Sequence, residues 1–108
     1  MEFIETKSFT NKITELLSDE RYMALQEELI KNPKKGALIV GGGGVRKIRW
    51  DMGNGHGKSS GIRTIYYYKD KNEQILMLLV YPKNVTDNLS DEQLKTIRTI
   101  AKEFNDEE

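Results

Sequence analysis

The sequence contains no cysteine, and this one absence excludes several kinds of site. Disulfides, thiolate zinc sites, iron–sulfur clusters and a cysteine nucleophile all require the missing thiol. His56 is the single histidine and no two-histidine metal motif surrounds it, so neither a metal nor another cofactor is expected. Long apolar runs and a basic leader followed by an apolar stretch are also missing, which predicts a cytoplasmic protein without a membrane anchor.

The 108 residues predict one domain, residues 1–108, and their charge is balanced in total but segregated along the chain. Residues 1–30 and 84–108 each carry a net charge of −4, whereas residues 31–83 carry eleven basic and three acidic side chains, a net charge of +8. If the middle segment forms one surface, its field attracts polyanions. The alternative is a basic sheet that is shielded by acidic helices within the monomer.

Hydrophobic periodicity predicts an α+β fold. Ser8 or Thr10 is expected to cap a first helix, and Ser18 a second helix that ends before Pro33. Ser90 caps an amphipathic third helix near the C-terminus. Strands are predicted over residues 45–51, 62–69 and 74–81, with room for a short extra strand at residues 2–6. The expected architecture is an N-terminal helical hairpin on a three-stranded antiparallel meander, with a C-terminal helix.

Two glycine-rich segments share some features with nucleotide-binding loops. Residues 52–59 end in Gly57-Lys58-Ser59, but Met52 stands where a P-loop needs its first glycine, and a strand follows where a helix is required. Residues 41–44 lack dinucleotide-loop spacing and are expected to form a mobile connection to the sheet. Nucleotide binding is therefore not predicted.

Basic side chains cluster on the predicted meander. Alternation places Lys47 and Arg49 on one face of their strand, and hairpin pairing brings them near Arg63. Lys58 lies in the connecting loop, and Lys83 follows the third strand. Clustered cations repel one another unless an anion lies between them, and phosphate is the natural anion. Solvated cations on an exposed face are the alternative.

The basic strands belong to a longer set of segments: Ser18-Asp19-Glu20-Arg21-Tyr22, Asn32-Pro33, Gly43-Gly44-Val45-Arg46-Lys47-Ile48-Arg49, Gly57-Lys58, Gly61-Ile62-Arg63-Thr64-Ile65-Tyr66-Tyr67, Tyr81-Pro82-Lys83-Asn84 and Asp87-Asn88-Leu89-Ser90. Together they resemble the RelE/ParE toxin superfamily, and its HigB-like branch, over nearly the whole chain. The resemblance implies a RelE-like fold and a toxin that cleaves mRNA without a metal. It also implies two partners, a HigA-like, DNA-binding cognate antitoxin and the ribosome with its A-site mRNA.

The resemblance also implies roles for individual residues. The family's basic pair falls on Lys47 and Arg49, and its catalytic arginine on Arg63, which is expected to be an exposed strand residue. RNA cleavage by its own 2′-hydroxyl needs proton removal, charge stabilisation and a general acid. The general acid is left open among Lys58, His56 and Tyr67. The predicted catalytic set is Lys47, Lys58, Arg63 and Lys83, and the predicted RNA-binding set is Arg46, Arg49, His56, Tyr67 and Asn84.

Two other functions remain open at this point. A ParE-like toxin would inhibit DNA gyrase through protein contacts, although the cationic cluster disfavours it. A non-catalytic RNA-binding module would use the same basic surface without cleaving its ligand.

Overall fold

The computed structural model describes residues 1–51, 61–83 and 88–107, which form the predicted α+β fold. In chain order the elements are β1 (Glu2–Glu5), α1 (Lys7–Leu16), α2 (Asp19–Lys31), β2 (Ala37–Leu38), β3 (Arg46–Trp50), β4 (Ile62–Lys69), β5 (Gln74–Pro82) and α3 (Asp91–Asp106). A 3₁₀ turn, Asp70–Asn72, joins β4 to β5. Among the helices in this part of the chain, none is long and apolar enough to span a bilayer.

The sheet has five strands in the order β1-β5-β4-β3-β2 and is larger than predicted. The antiparallel meander of β3, β4 and β5 is confirmed. β1 is the extra N-terminal strand and runs parallel to β5, so the sheet is mixed rather than wholly antiparallel. β2 adds to the outer side of β3 and was not predicted, because two residues are too few to show a period.

Side-chain caps set where the helices begin. The predicted cap of α1 is wrong by two residues or more: Thr6, not Ser8 or Thr10, accepts the Phe9 N–H at 3.2 Å. The Ser18 cap of α2 is confirmed, since its hydroxyl accepts a backbone N–H from the first turn. Ser90 caps α3 in a capping box with Gln93.

The helices cover the two faces of the sheet and form two separate apolar cores. One core packs α1 and α2 against one face, and the other packs α3 against the opposite face. The consecutive tyrosines follow this division, because Tyr66 belongs to the first core and Tyr67 to the second. Neighbouring tyrosines of β4 therefore face opposite sides of the sheet, as strand geometry requires.

The glycine run before β3 is a defined turn rather than a loose connection. Gly41, Gly43 and Gly44 have positive φ angles of 75°, 66° and 101°, which favour glycine. Arg98 of α3 donates a hydrogen bond to the Gly41 carbonyl at 2.9 Å. A Cβ on Gly44 would lie 3.0 Å from the Tyr67 ring. The predicted connection to the sheet is thus a turn that contacts α3 and β4.

Candidate functional site

Three side chains form a row across the central strands, on the face that α3 covers. The backbone register pairs Arg49 of β3 with Arg63 of β4, and Arg63 with Tyr81 of β5. Strand alternation puts the row on the same face as Val45 and Ile65, which are buried in the α3 core. Cross-strand neighbours of this kind have Cβ atoms about 4.5–5.5 Å apart. The row therefore places two arginines and a tyrosine side by side on one face of the sheet.

The two arginines differ in exposure, and one differs from the prediction. Arg49 is exposed as expected, but Arg63 is only 1% exposed, so the expectation of an exposed strand arginine is wrong. Arg63 Nη1 lies 3.4 Å from the Ile62 carbonyl oxygen, to which it donates. A buried guanidinium needs polar partners, because its burial without them is costly. Such partners also restrict the orientation of the Arg63 side chain. An anion that reaches Arg63 meets a charge that is already oriented.

A cavity of about 420 Å³ opens beside this row. Arg49, Trp50, Asp51, Gly61 and Arg63 line it. Its volume lies within the range of roughly 300–1,000 Å³ that is typical of ligand pockets. Cations together with an aromatic residue at the wall suit a ligand that carries both phosphate and base.

Lys47 and Lys83 complete the basic end of the sheet. Lys47 lies on the same face as Arg49 and lines a second cavity of about 120 Å³ together with Tyr81. The backbone N–H of Lys83 donates to the Gly61 carbonyl at 3.1 Å, which keeps Lys83 beside the start of β4. Two of the predicted catalytic residues thus flank the row on its two outer strands: Lys47 lies two residues before Arg49, and Lys83 two residues after Tyr81.

A comparison with known protein families identifies the family of the chain. A family model described as the RelE toxin of the RelE / RelB toxin-antitoxin system matches residues 1–108. The chain belongs to this toxin family. The predicted membership of the RelE/ParE superfamily is therefore confirmed. The row of Arg49, Arg63 and Tyr81, called the basic row below, is part of a toxin.

Two residues of the predicted RNA-binding set lie away from the row in this RelE-family toxin. Arg46 is on the opposite face of β3, where its Nη1 donates to the carbonyls of Lys34 at 3.0 Å and Gly36 at 2.7 Å. Tyr67 packs edge-on against Phe104 of α3, with ring centroids 6.4 Å apart, and burial raises its pKa. Both side chains have structural contacts in these positions.

The remaining predicted residues are outside the described ranges. These are Lys58 and His56 in the segment 52–60, and Asn84 in the segment 84–87. Within residues 1–51, 61–83 and 88–107, no three His, Asp or Glu side chains group closely enough to hold a metal ion.

The described ion pairs do not involve the basic side chains of β3. They join Lys12 to Glu15, Lys35 to Glu28 and Lys102 to Asp106, all within or next to helices. Among the described residues, neither Lys47 nor Arg49 takes part in an ion pair. Shielding of the basic strand by acidic helices is therefore not seen in this part of the chain.

Two site residues, Arg21 and Tyr81, could not be identified from the sequence pattern. Arg21, at the start of α2, lies 5.2 Å from the Trp50 ring centroid, and its Nη2 donates to the Asp51 carbonyl at 2.9 Å. The indole N–H of Trp50 in turn donates a hydrogen bond to the Arg21 carbonyl at 3.2 Å. These contacts fix one wall of the larger cavity.

Tyr81 joins the row because of a β-bulge. The register between β4 and β5 shifts next to Ile65, so that Leu78 is an extra residue on β5. If Leu78 paired with Ile65 in an unshifted register, Arg63 would pair with Val80, whose side chain belongs to the other core. Alternation alone could not have placed Tyr81, because a bulge reverses which residues face each side.

Proposed function

We propose that this toxin is a ribosome-dependent, metal-independent mRNA endonuclease that blocks translation in the cytoplasm. The pairing of Arg49 with Arg63 beside a cavity carries the proposal. Two like charges directly opposite one another attract an anion that binds between or above them. A backbone phosphate of RNA is such an anion.

The reaction that suits these residues uses the RNA's own nucleophile. The 2′-oxygen attacks the adjacent phosphorus while its proton leaves, the bond to the 5′-oxygen breaks, and that oxygen takes up a proton. The products are a 2′,3′-cyclic phosphate and a 5′-hydroxyl. Arg63 supports the negative charge that develops on the phosphorane, because a fixed donor gains most when charge appears beside it.

The remaining steps, phosphate binding and proton transfer, are assigned to the other residues near the row. Arg49 is exposed and is suited to hold the incoming phosphate. Lys47, Lys83 and the Tyr81 phenol can exchange protons near the row. Lys58 and His56 stay predictions for the general acid. The resemblance to the HigB-like branch supports the ribosomal A site as the place of cleavage and a HigA-like antitoxin as the partner.

The decisive experiment is cleavage of mRNA on ribosomes that are programmed with a defined codon in the A site. Replacing the 2′-hydroxyl at the cleaved position with hydrogen should abolish cleavage, and the normal products should carry a cyclic phosphate. Products with a 5′-phosphate would contradict the mechanism. Growth arrest with intact transcripts and lost DNA supercoiling would instead identify a ParE-like toxin.

Arg49→Ala is the cleanest variant for this assay, because an exposed side chain contributes little to the core. We expect a loss of cleavage of at least about tenfold with an unchanged melting temperature, while Arg63→Ala should lose about 10²–10³-fold. Because Arg63 is buried, its variant needs a melting curve beside every rate. Lys71→Ala, an exposed cation in the β4–β5 turn, is the matched control and should cleave normally.

A further inference from the structure

The outer edge of β2 presents backbone groups to solvent. Leu38 pairs with Arg46 of β3 on one side only, and β2 is the last strand at this end of the sheet. The Ile39 N–H donates to the Val45 carbonyl at 3.1 Å. Alternate residues of an antiparallel strand direct their N–H and C=O groups to opposite sides, so those of Leu38 point away from β3.

The same edge carries apolar side chains that face solvent. Leu38 is 60% exposed, and Val40, just beyond the strand, is 94% exposed. Proteins usually protect an exposed strand edge with charge, proline or a covering element. Two aliphatic side chains beside outward-facing backbone groups are instead what an added strand needs.

The surroundings of this edge are basic. Residues 29–50 contain six Lys or Arg and no Asp or Glu. Lys35 is bonded to Glu28 at 2.7 Å, but Lys31 and Lys34 are exposed and, within the described chain, form no ion pair. Lys47 lies on the neighbouring strand, in register with Ala37. A segment that adds to β2 therefore passes between cations.

We infer that the free edge of β2 binds an extended segment of the cognate antitoxin in which apolar side chains alternate with Asp or Glu. The inference rests on the proposed toxin–antitoxin function. Such a segment would pair with the Leu38 backbone, cover Leu38 and Val40, and place carboxylates near Lys34 and Lys47. Because Lys47 is one of the predicted catalytic residues and lies on the same face as Arg49, the bound segment would also hinder access of RNA.

Two other occupants fit the edge less well. A second copy of this chain would bring the lysines of both edges together without any acidic partner. RNA could bind the cations, but it offers neither a strand backbone for Leu38 nor an apolar side chain for Val40. Charge and backbone together favour an acidic peptide strand.

Hydrogen exchange of the intact complex provides the first test. The probe is the antitoxin encoded beside the toxin, co-expressed and purified with it. The Leu38 amide should exchange at least tenfold more slowly in the complex than in the free toxin, because its N–H gains a strand partner. An exchange rate at Leu38 that the antitoxin leaves unchanged would overturn the inference.

Substitution provides the second test, with a matched control. Leu38→Asp puts a negative charge into the proposed interface and should weaken antitoxin binding at least tenfold. Met23→Asp is the control, because Met23 is 59% exposed on α2, away from this edge. It should change the dissociation constant less than twofold. Equal effects of both substitutions, or no effect of Leu38→Asp, would refute the edge as the binding site.

The remaining outcomes separate this inference from the proposed activity. Free Leu38→Asp toxin should still cleave mRNA on ribosomes at the wild-type rate but resist neutralisation. Loss of cleavage with normal antitoxin binding would assign the edge to RNA, and a free toxin whose dimer is broken by Leu38→Asp would assign it to a second copy. If the wild-type toxin does not cleave RNA while Leu38→Asp still loses the antitoxin, the proposed activity fails and the docking edge stands.

Discussion

Lys69 holds the C-terminal end of α3 from the neighbouring strand, and its replacement by methionine tests how firmly that helix is attached. Its buried ammonium donates to the Phe104 carbonyl at 2.9 Å and to the Glu107 carbonyl, and lies 5.3 Å from the Phe104 ring centroid. The last carbonyls of a helix lack partners within the helix, so a cation there satisfies them and interacts favourably with the helix dipole.

The size of the effect follows from these contacts. Hydrogen bonds to a charged group contribute about 1.5–3 kcal/mol each, so the two at Lys69 amount to roughly 3–6 kcal/mol. Methionine keeps most of the apolar stem and removes a buried charge, which offsets part of the loss. We expect Lys69→Met to lower the free energy of unfolding by about 3 kcal/mol and Tm by roughly 12 °C.

Urea unfolding followed by circular dichroism measures this change directly. Lys102→Met is the matched control, because Lys102 also lies on α3 but its side chain is 78% exposed and pairs with Asp106 at the surface. Such exposed pairs contribute little, so the control should unfold like the wild type. A Lys69→Met protein that unfolds at the wild-type urea midpoint would refute the role of Lys69 as a helix cap.

Two further variants test buried polar groups. The buried Thr64 hydroxyl has no hydrogen-bond partner among the described residues, and its strand neighbours Ile48 and Val80 are apolar, so Thr64→Val should raise Tm by a few degrees. A lower Tm would show that the hydroxyl has a partner. Burial raises the pKa of Tyr66, which donates to the Pro33 carbonyl at 2.8 Å. Because the folded state favours the neutral phenol, stability should be complete below about pH 10 and fall at higher pH. Melting curves of Tyr66→Phe should show a smaller fall above that pH, and an equal fall would exclude Tyr66 as a cause.

Local signals were sufficient for most of the fold. Ser18 and Ser90 precede acidic first turns and apolar periods, so their caps could be read from the sequence. The meander followed from strand periods and the short turn at Asp70–Asn72. The remaining elements depend on distant partners. The sequence allows a strand at β1, but its parallel pairing with β5 depends on a partner distant in sequence, and β2 depends wholly on β3.

The cap of α1 shows why local chemistry was not enough there. Three hydroxyl residues, Thr6, Ser8 and Thr10, lie within one turn, and each is a good cap by residue type. The structure selects Thr6, whose hydroxyl also donates to the Leu78 carbonyl at 2.8 Å. That second bond joins residues 72 positions apart, so no window of the sequence contains it.

The candidate site was predictable in part for the same reason. Hairpin pairing was expected to bring Arg49 near Arg63, and the register confirms it. The burial of Arg63 depends on what covers the sheet, and the position of Tyr81 depends on the bulge in β5. Neither the burial of Arg63 nor the position of Tyr81 can be predicted from residue type or from spacing along the chain.

The bulge links the N-terminal segment of the toxin to its basic row. Thr6 donates its backbone N–H to the Met77 carbonyl at 3.1 Å and its hydroxyl to the carbonyl of Leu78, the extra residue of the bulge. An extra residue in a strand leaves backbone groups without ladder partners, and Thr6 supplies one. The same residue therefore begins α1 and stabilises the register that sets Tyr81, rather than Val80, beside Arg63. Because β1 and Thr6 lie along β5, the N-terminal strand contributes to the geometry of the basic row although it carries none of its side chains.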